Sequence, residues 1–89
     1  MESKENVFRL EVVTPNKIIF KGDAKSLVVS SVKGSMGVLP KHAPLLAVLK
    51  PGNISFVCSE KSYAYTSSEG FIEVMPDRVR ILVESVKEK

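Results

Sequence analysis

Few residues in this chain could take part in bond-making chemistry. It has one histidine, His42, one cysteine, Cys58, and two aspartates, Asp23 and Asp77. A protein nucleophile needs a base beside it and a further group that orients the base. No such set occurs here. Zinc sites need three or four cysteine, histidine or carboxylate ligands at close spacing, and that pattern is also missing. Glu11 and Glu73 lie in runs whose alternate members are apolar, which puts the carboxylates on solvent faces rather than in a paired acid–base site. The inventory argues against an enzyme with its own active site and implies no cofactor and no metal.

The stretch "GSMGVLPKHAPLL", Gly34 to Leu46, is the least ordinary part of the chain, with the histidine, two of the five prolines and two of the five glycines. Its G-x-x-G is the pattern that clamps nucleic-acid backbone in KH domains. There the loop lies between helices, whereas this one lies between β-patterned runs. A histidine can carry protons, but with no carboxylate close in sequence His42 reads as a group that fixes the loop by hydrogen bonding. Pro40 and Pro44 stiffen the backbone on either side of it, and Leu39, Leu45 and Leu46 add apolar surface. A rigid, partly apolar loop without a catalytic partner points to protein binding.

The rest of the chain must position that stretch. Eighty-nine residues make a single domain, 1–89, with 44% hydrophobic and 26% charged residues and a formal charge of +3. These are globular values. The ten lysines are scattered from Lys4 to Lys89 rather than gathered into a stripe, which argues against dedicated nucleic-acid binding. A single cysteine forms no internal disulfide and suits a reducing compartment. The start lacks the apolar core of a signal peptide, and no apolar run reaches the ~20 residues that span a bilayer. The chain therefore reads as soluble and cytosolic.

The dominant period is two. Phe8, Leu10 and Val12 share one face of "VFRLEVV", Tyr63 and Tyr65 one side of "YAYTS", Ile72 and Val74 one side of "FIEVM", and Val79, Ile81 and Val83 one side of "RVRILVE". "SLVVSSV" and "LLAVL" are more continuously apolar, as expected of strands contacted on both faces. "TPNK", "KGD", "KPGN", "SEKS", "SSEG" and "MPDR" supply turns, with Pro51 and Gly52 suited to type II. This spacing predicts an all-β sandwich or barrel, frayed only in the first six and last three residues. Two function classes fit these residues: an OB-like barrel that stacks single-stranded nucleic acid on Tyr63 and Tyr65, and a non-catalytic adaptor.

Four pieces then occur together in one order: the "VVTP…FKG" opening, "GxxGVLPxHAPLL", "LKPG", and "GFIEVMPDRVRIL". From about Leu10 to Glu84 the chain resembles the amino-terminal domain of the epsilon subunit of bacterial F-type ATP synthase, called delta in mitochondria. The resemblance implies a flattened sandwich of two five-stranded antiparallel sheets. It also implies a monomeric, non-catalytic rotor subunit of the central stalk. In this family the domain grips the gamma subunit, rests on the polar loops of the membrane proteolipid ring, and passes ion-driven rotation through gamma to the catalytic head. Its place would be peripheral, on the cytoplasmic face of the cell inner membrane.

Gly34, Gly37, Leu39, Pro40, His42, Ala43, Pro44 and Leu45 match the family's loop motif. The resemblance makes Ser35, Met36, Lys41, His42, Ala43 and Pro44 candidates for the ring-facing edge, and Leu45, Leu46 and Met75 candidates for the gamma contact. The chain departs from the family in carrying Lys33 and Ser35 where acidic residues are common, and Glu69 where glycine is common. Bacterial members usually continue into a helical hairpin that can inhibit hydrolysis and in some binds ATP. This sequence ends at "VKEK" before such a hairpin, so a domain that couples without inhibiting is expected.

Overall fold

Each run that alternates apolar and polar residues forms a strand with its apolar set turned inward. The computed structural model describes residues 6–89, with nine strands and no α-helix among the described residues. The strands are β1 (Phe8–Val13), β2 (Ile18–Ala24), β3 (Ser26–Ser31), β4 (Gly34–Val38), β5 (Leu45–Cys58), β6 (Lys61–Ser67), β7 (Gly70–Val74), β8 (Arg78–Val83) and β9 (Val86–Glu88). Phe8, Leu10 and Val12, Ile72 and Val74, and Val79, Ile81 and Val83 are all buried, on the faces that alternation assigns them.

The strands form one hydrogen-bonded sheet in the order β2-β1-β8-β7-β5-β3-β4, with β6 on β5 and β9 on β6. The long β5 joins two layers. Its first half, Leu45 to Leu49, pairs with β7, and its second half pairs with β3 and β6. Counting its halves separately, each layer has five strands: β2, β1, β8, β7 and the start of β5 in the first, and β4, β3, the end of β5, β6 and β9 in the second. Residues from both layers fill one core, and Phe20 of β2 lies 4.6 Å from Phe56 of β5 across it. The all-β sandwich character is as expected, but the nine strands form one continuous sheet rather than two separate five-stranded ones. The first layer is also not wholly antiparallel, because β1 and β8 run parallel. Such a pair needs a long crossover, and here most of the chain provides it.

The expected type II turn at Pro51–Gly52 does not form. Gly34 is the one glycine with positive φ among the described residues, and β5 runs through the "KPGN" stretch. Its buried positions change phase there, from Leu49 to Ile54 and Phe56. On β3, Val29 faces Ile54 and Ser31 faces Leu49, so two steps of β3 oppose five of β5, and 5 − 2 leaves three extra residues in β5. The extra length is a bulge that bends the strand from one layer to the other. Gly52 is required at this bend, since a Cβ on it would stand 2.6 Å from Ser30 Oγ. The same hydroxyl accepts the Asn53 N–H at 3.2 Å.

Strand directions send the loops to two ends. Residues 14–17, 32–33, 68–69 and 84–85 cluster at one end with the β5 bend, while residues 39–44, 59–60 and 75–77 lie at the other. The carboxy terminus is not frayed: β9 pairs with β6, and Lys89 N–H donates to the Ala64 carbonyl at 3.1 Å. Of the first six residues only Asn6 is described, so that expectation falls mostly outside the described residues.

Candidate docking surface

The register of the first layer aligns residues that the sequence keeps far apart. Val48 faces Phe71, Phe71 faces Leu82, Leu82 faces Val13, and Val13 faces Ile18. Residues opposite one another in a ladder point to the same side of the sheet, and these five lie on the outer side. Ile18 is 56% exposed, Val48 47%, Phe71 53% and Leu82 43%. They form an unbroken apolar row across five strands, about 19 Å long at the usual strand spacing. Exposed Val32 extends it, its N–H donating to the Val48 carbonyl at 3.1 Å. Isolated exposed apolar residues are ordinary, but a contiguous row marks a contact site.

One step along the strands the next outer row reads Leu46, Glu73, Arg80, Glu11 and Lys21. Arg80 Nε donates to Glu11 Oε1 at 3.2 Å, with Glu11 mostly covered. At the far margin Arg9 and Asp23 form a looser, exposed pair at 3.7 Å. The stripe is thus bordered by charge, the usual arrangement of an interface core and its rim.

The gamma-contact candidates divide on this geometry. Leu46 points outward and is 70% exposed, beside the stripe. Met75 also lies on the outer side, in the tight hairpin where its N–H donates to the Arg78 carbonyl at 2.7 Å. Leu45 faces Val74 and belongs to the inward row, although its position at the layer's margin leaves it partly exposed. Alternation had missed Val13, Ile18, Val48, Phe71 and Leu82. Their signal was present as neighbouring apolar residues that break the period of two, "VV", "II", "VL", "FI" and "ILV", and the register brings them into line.

The ring-edge candidates do not all sit in one loop. Gly34–Val38 is a strand, so G-x-x-G is no backbone clamp here, and Ser35 pairs with Ser30 while Met36 pairs with Val29. Ser35 is exposed, but Met36 packs against the core. Only Lys41, His42, Ala43 and Pro44 share the loop between β4 and β5, at the opposite end from Gly34. What unites the six is the margin of the second layer, because β4 is an edge strand that leads directly into that loop.

Within the loop, Lys41 has φ of 64°, a left-handed conformation rare for a residue with a side chain. Lys41, Ala43 and Pro44 are exposed and His42 is half-buried. His42 Nδ1 is buried without a hydrogen-bond partner, so it is not through this atom that the histidine fastens the loop.

The second layer is different outside. "SLVVSSV" and "LLAVL", expected to be covered on both faces, are each covered on one, and Val28 is exposed among small and polar neighbours: Gly37 and Ser55 beside it, Ala64 beyond. Tyr63 and Tyr65 turn inward and stack on Phe56, at 5.0 Å and 6.1 Å between ring centres. The stacking platform required by the nucleic-acid reading is therefore part of the core. Cys58 packs against that core, and burial followed by the nearby Asp23 charge pushes its thiol upward, the opposite of an activated cysteine. Among the described residues no group of three potential metal ligands gathers, and no helix is long and apolar enough to cross a membrane.

Residues 7–89 match the family described as ATP synthase, Delta/Epsilon chain, beta-sandwich domain. The ATP synthase epsilon chain of Desulfosudis oleivorans is 44% identical over 82 residues, covering 91% of this chain and 62% of the relative. That of Herpetosiphon aurantiacus is 39% identical over 79 residues, covering 89% and 58%. The chain thus spans about three fifths of the length of these curated relatives. In solved structures the fold recurs in a chain of the Euglena gracilis mitochondrial ATP synthase OSCP/F1/c-ring assembly, at a TM-score of 0.86 and 21% identity over 99% of this chain and 56% of that one. It recurs again in the Tetrahymena thermophila mitochondrial ATP synthase central stalk and c-ring, at 0.80 and 17% over 97% and 69%. With the motif order, the strand topology and this match over nearly its whole length, the chain belongs to the ATP synthase delta/epsilon family, as its β-sandwich domain.

Proposed function

We propose that this domain is a non-catalytic rotor element of an F-type ATP synthase. The outer face of the first layer is gripped by the gamma subunit, and the β4 margin with the loop after it rests on the polar loops of the proteolipid ring. Rotation driven by ion flow passes through this joint and gamma to the catalytic head. The observation that carries the reading is the apolar row Val48–Phe71–Leu82–Val13–Ile18, with Leu46 and Met75 on the same side, in a chain of this family. Its place is then peripheral, at the cytoplasmic face of the inner membrane, and the isolated domain is a monomer. In this reading the domain transmits force and makes no bond.

The test is to add the domain to an ATP synthase depleted of its own epsilon chain. Ion-driven ATP synthesis is restored. Failure to bind the depleted complex overturns the assignment.

A further inference from the structure

Beside the middle of the stripe, toward residues 14–17 and 84–85, the outer face of the first layer opens into a recess of about 580 Å³ lined by Val13, Pro15, Phe71 and Leu82, with Glu69 and Glu84 at its rim. The β7–β8 ladder explains how the two glutamates meet. Gly70 faces Val83, and Ser68 N–H donates to the Ser85 carbonyl at 3.1 Å, so Glu69 and Glu84 lie between these two contacts, just past the ends of β7 and β8. Ser68 fastens this end, its Oγ accepting the N–H groups of Glu84 at 3.0 Å and Ser85 at 3.2 Å. The strands approach so closely that a Cβ on Gly70 would collide with the Leu82 carbonyl oxygen. Like charges gathered at one strand end repel one another. Yet the ion pairs found among the described residues are Arg9–Asp23 and Arg80–Glu11, and neither involves this rim.

We infer that the recess receives an arginine side chain of the partner that docks on the stripe. An apolar floor suits the aliphatic stem of a long basic side chain, and the exposed ring of Phe71 offers a face on which a guanidinium stacks. Two carboxylates match its planar fork of donors better than they match a compact ammonium. The site is locally acidic on a domain of net charge +3, so the charge selects the occupant against the background of the whole surface. The recess is also continuous with the stripe at Phe71 and Leu82, so one docking event fills both.

The inference rests on the gamma-docking reading, and the experiment separates the two. Binding of the purified gamma subunit from the same cell is measured calorimetrically over a range of salt for the wild-type domain, for Glu69→Gln/Glu84→Gln, for Phe71→Ser and for Glu60→Gln, which removes one carboxylate at the opposite end. The double glutamine variant is expected to keep or raise its melting temperature, because repulsion is relieved. It should bind at least tenfold more weakly, with a flatter salt dependence, while Glu60→Gln binds as wild type. If Phe71→Ser fails while the double glutamine variant binds as wild type, the stripe docks gamma and the arginine site is wrong. Equal losses in the double glutamine and Glu60→Gln variants reduce the effect to overall charge and also overturn it. If the wild-type domain ignores gamma and instead self-associates or binds anionic vesicles, the docking reading and the arginine site fall together.

Discussion

The two layers of this sandwich are built alike on the inside and differently on the outside. Both supply alternating branched and aromatic residues to a single core, from Leu10, Ile72 and Ile81 in one to Leu27, Ile54 and Phe56 in the other. Outside, the first layer carries Val48, Phe71, Leu82, Val13 and Ile18 in line, while the second sets Gly37, Ser55 and Ala64 around Val28. A strand needs only one buried face to be stable, so folding does not account for the difference. The inner sets answer to stability, and under the proposed function the outer set of the first layer answers to a partner.

The sharpest way to break this division is to exchange the two kinds of apolar residue. Ile81 is fully buried, and Ile81→Ala should cost about 2–5 kcal/mol of folding free energy, much of the margin of a domain this small. Thermal or urea melts would read it directly. Phe71→Ser with Leu82→Ser, on the same two strands but outward, should leave the melt within about 1 kcal/mol yet weaken attachment to the gamma subunit by about 2 kcal/mol or more, as for interface anchors. Val28→Ser on the second layer should change neither appreciably. A stripe variant that unfolds, or that binds normally, would dissolve the contrast.

A smaller effect tests the second layer's margin. Pro40→Gly with Pro44→Gly should loosen the loop after β4 and weaken rotor attachment by about 1 kcal/mol through added loop entropy. His42→Gln should do less, since His42 Nδ1 makes no hydrogen bond. Co-sedimentation with membranes and coupled ATP synthesis separate the two. Loss of coupling in His42→Gln alone would assign the histidine a specific bond or proton.

The smallest expected effect concerns pH. Burial raises the Cys58 thiol above its ordinary value of 9.0, and burial, with the Glu88 and Tyr63 charges, raises Tyr65 above 10.0. Each folded-state value lies above the unfolded one, so the unfolded chain gives up its proton first. Their contribution is therefore complete below about pH 8 and is lost as pH rises through and beyond 9. Cys58→Ala should flatten the first part of that decline in urea melts taken from pH 7 to 10. An unchanged slope would show that the thiol is not the titrating group.

Much of this was decided by local sequence. Period-two alternation fixes which side of β1, β7 and β8 is buried, because successive side chains of a strand point to opposite faces and only one face can be withdrawn from water. The poverty of histidine, cysteine and aspartate likewise limits chemistry without any coordinates. The docking face was only half legible. The doublets at Val12–Val13, Ile18–Ile19, Phe71–Ile72 and Ile81–Leu82 were visible, but each one alone is an unremarked apolar residue on a solvent side. Only the pairing registers align them, and those registers depend on contacts between residues as distant as Val13 and Leu82. The bend of β5 was illegible for the same reason. Pro51 and Gly52 suit a turn locally, whereas the long strand through them is held by β3 on one side and by β6 and β7 on the other. Ser30 fills the space that a side chain on Gly52 would need. Local propensity sets what each segment can be, and pairing across the sheet decides which of those options is taken.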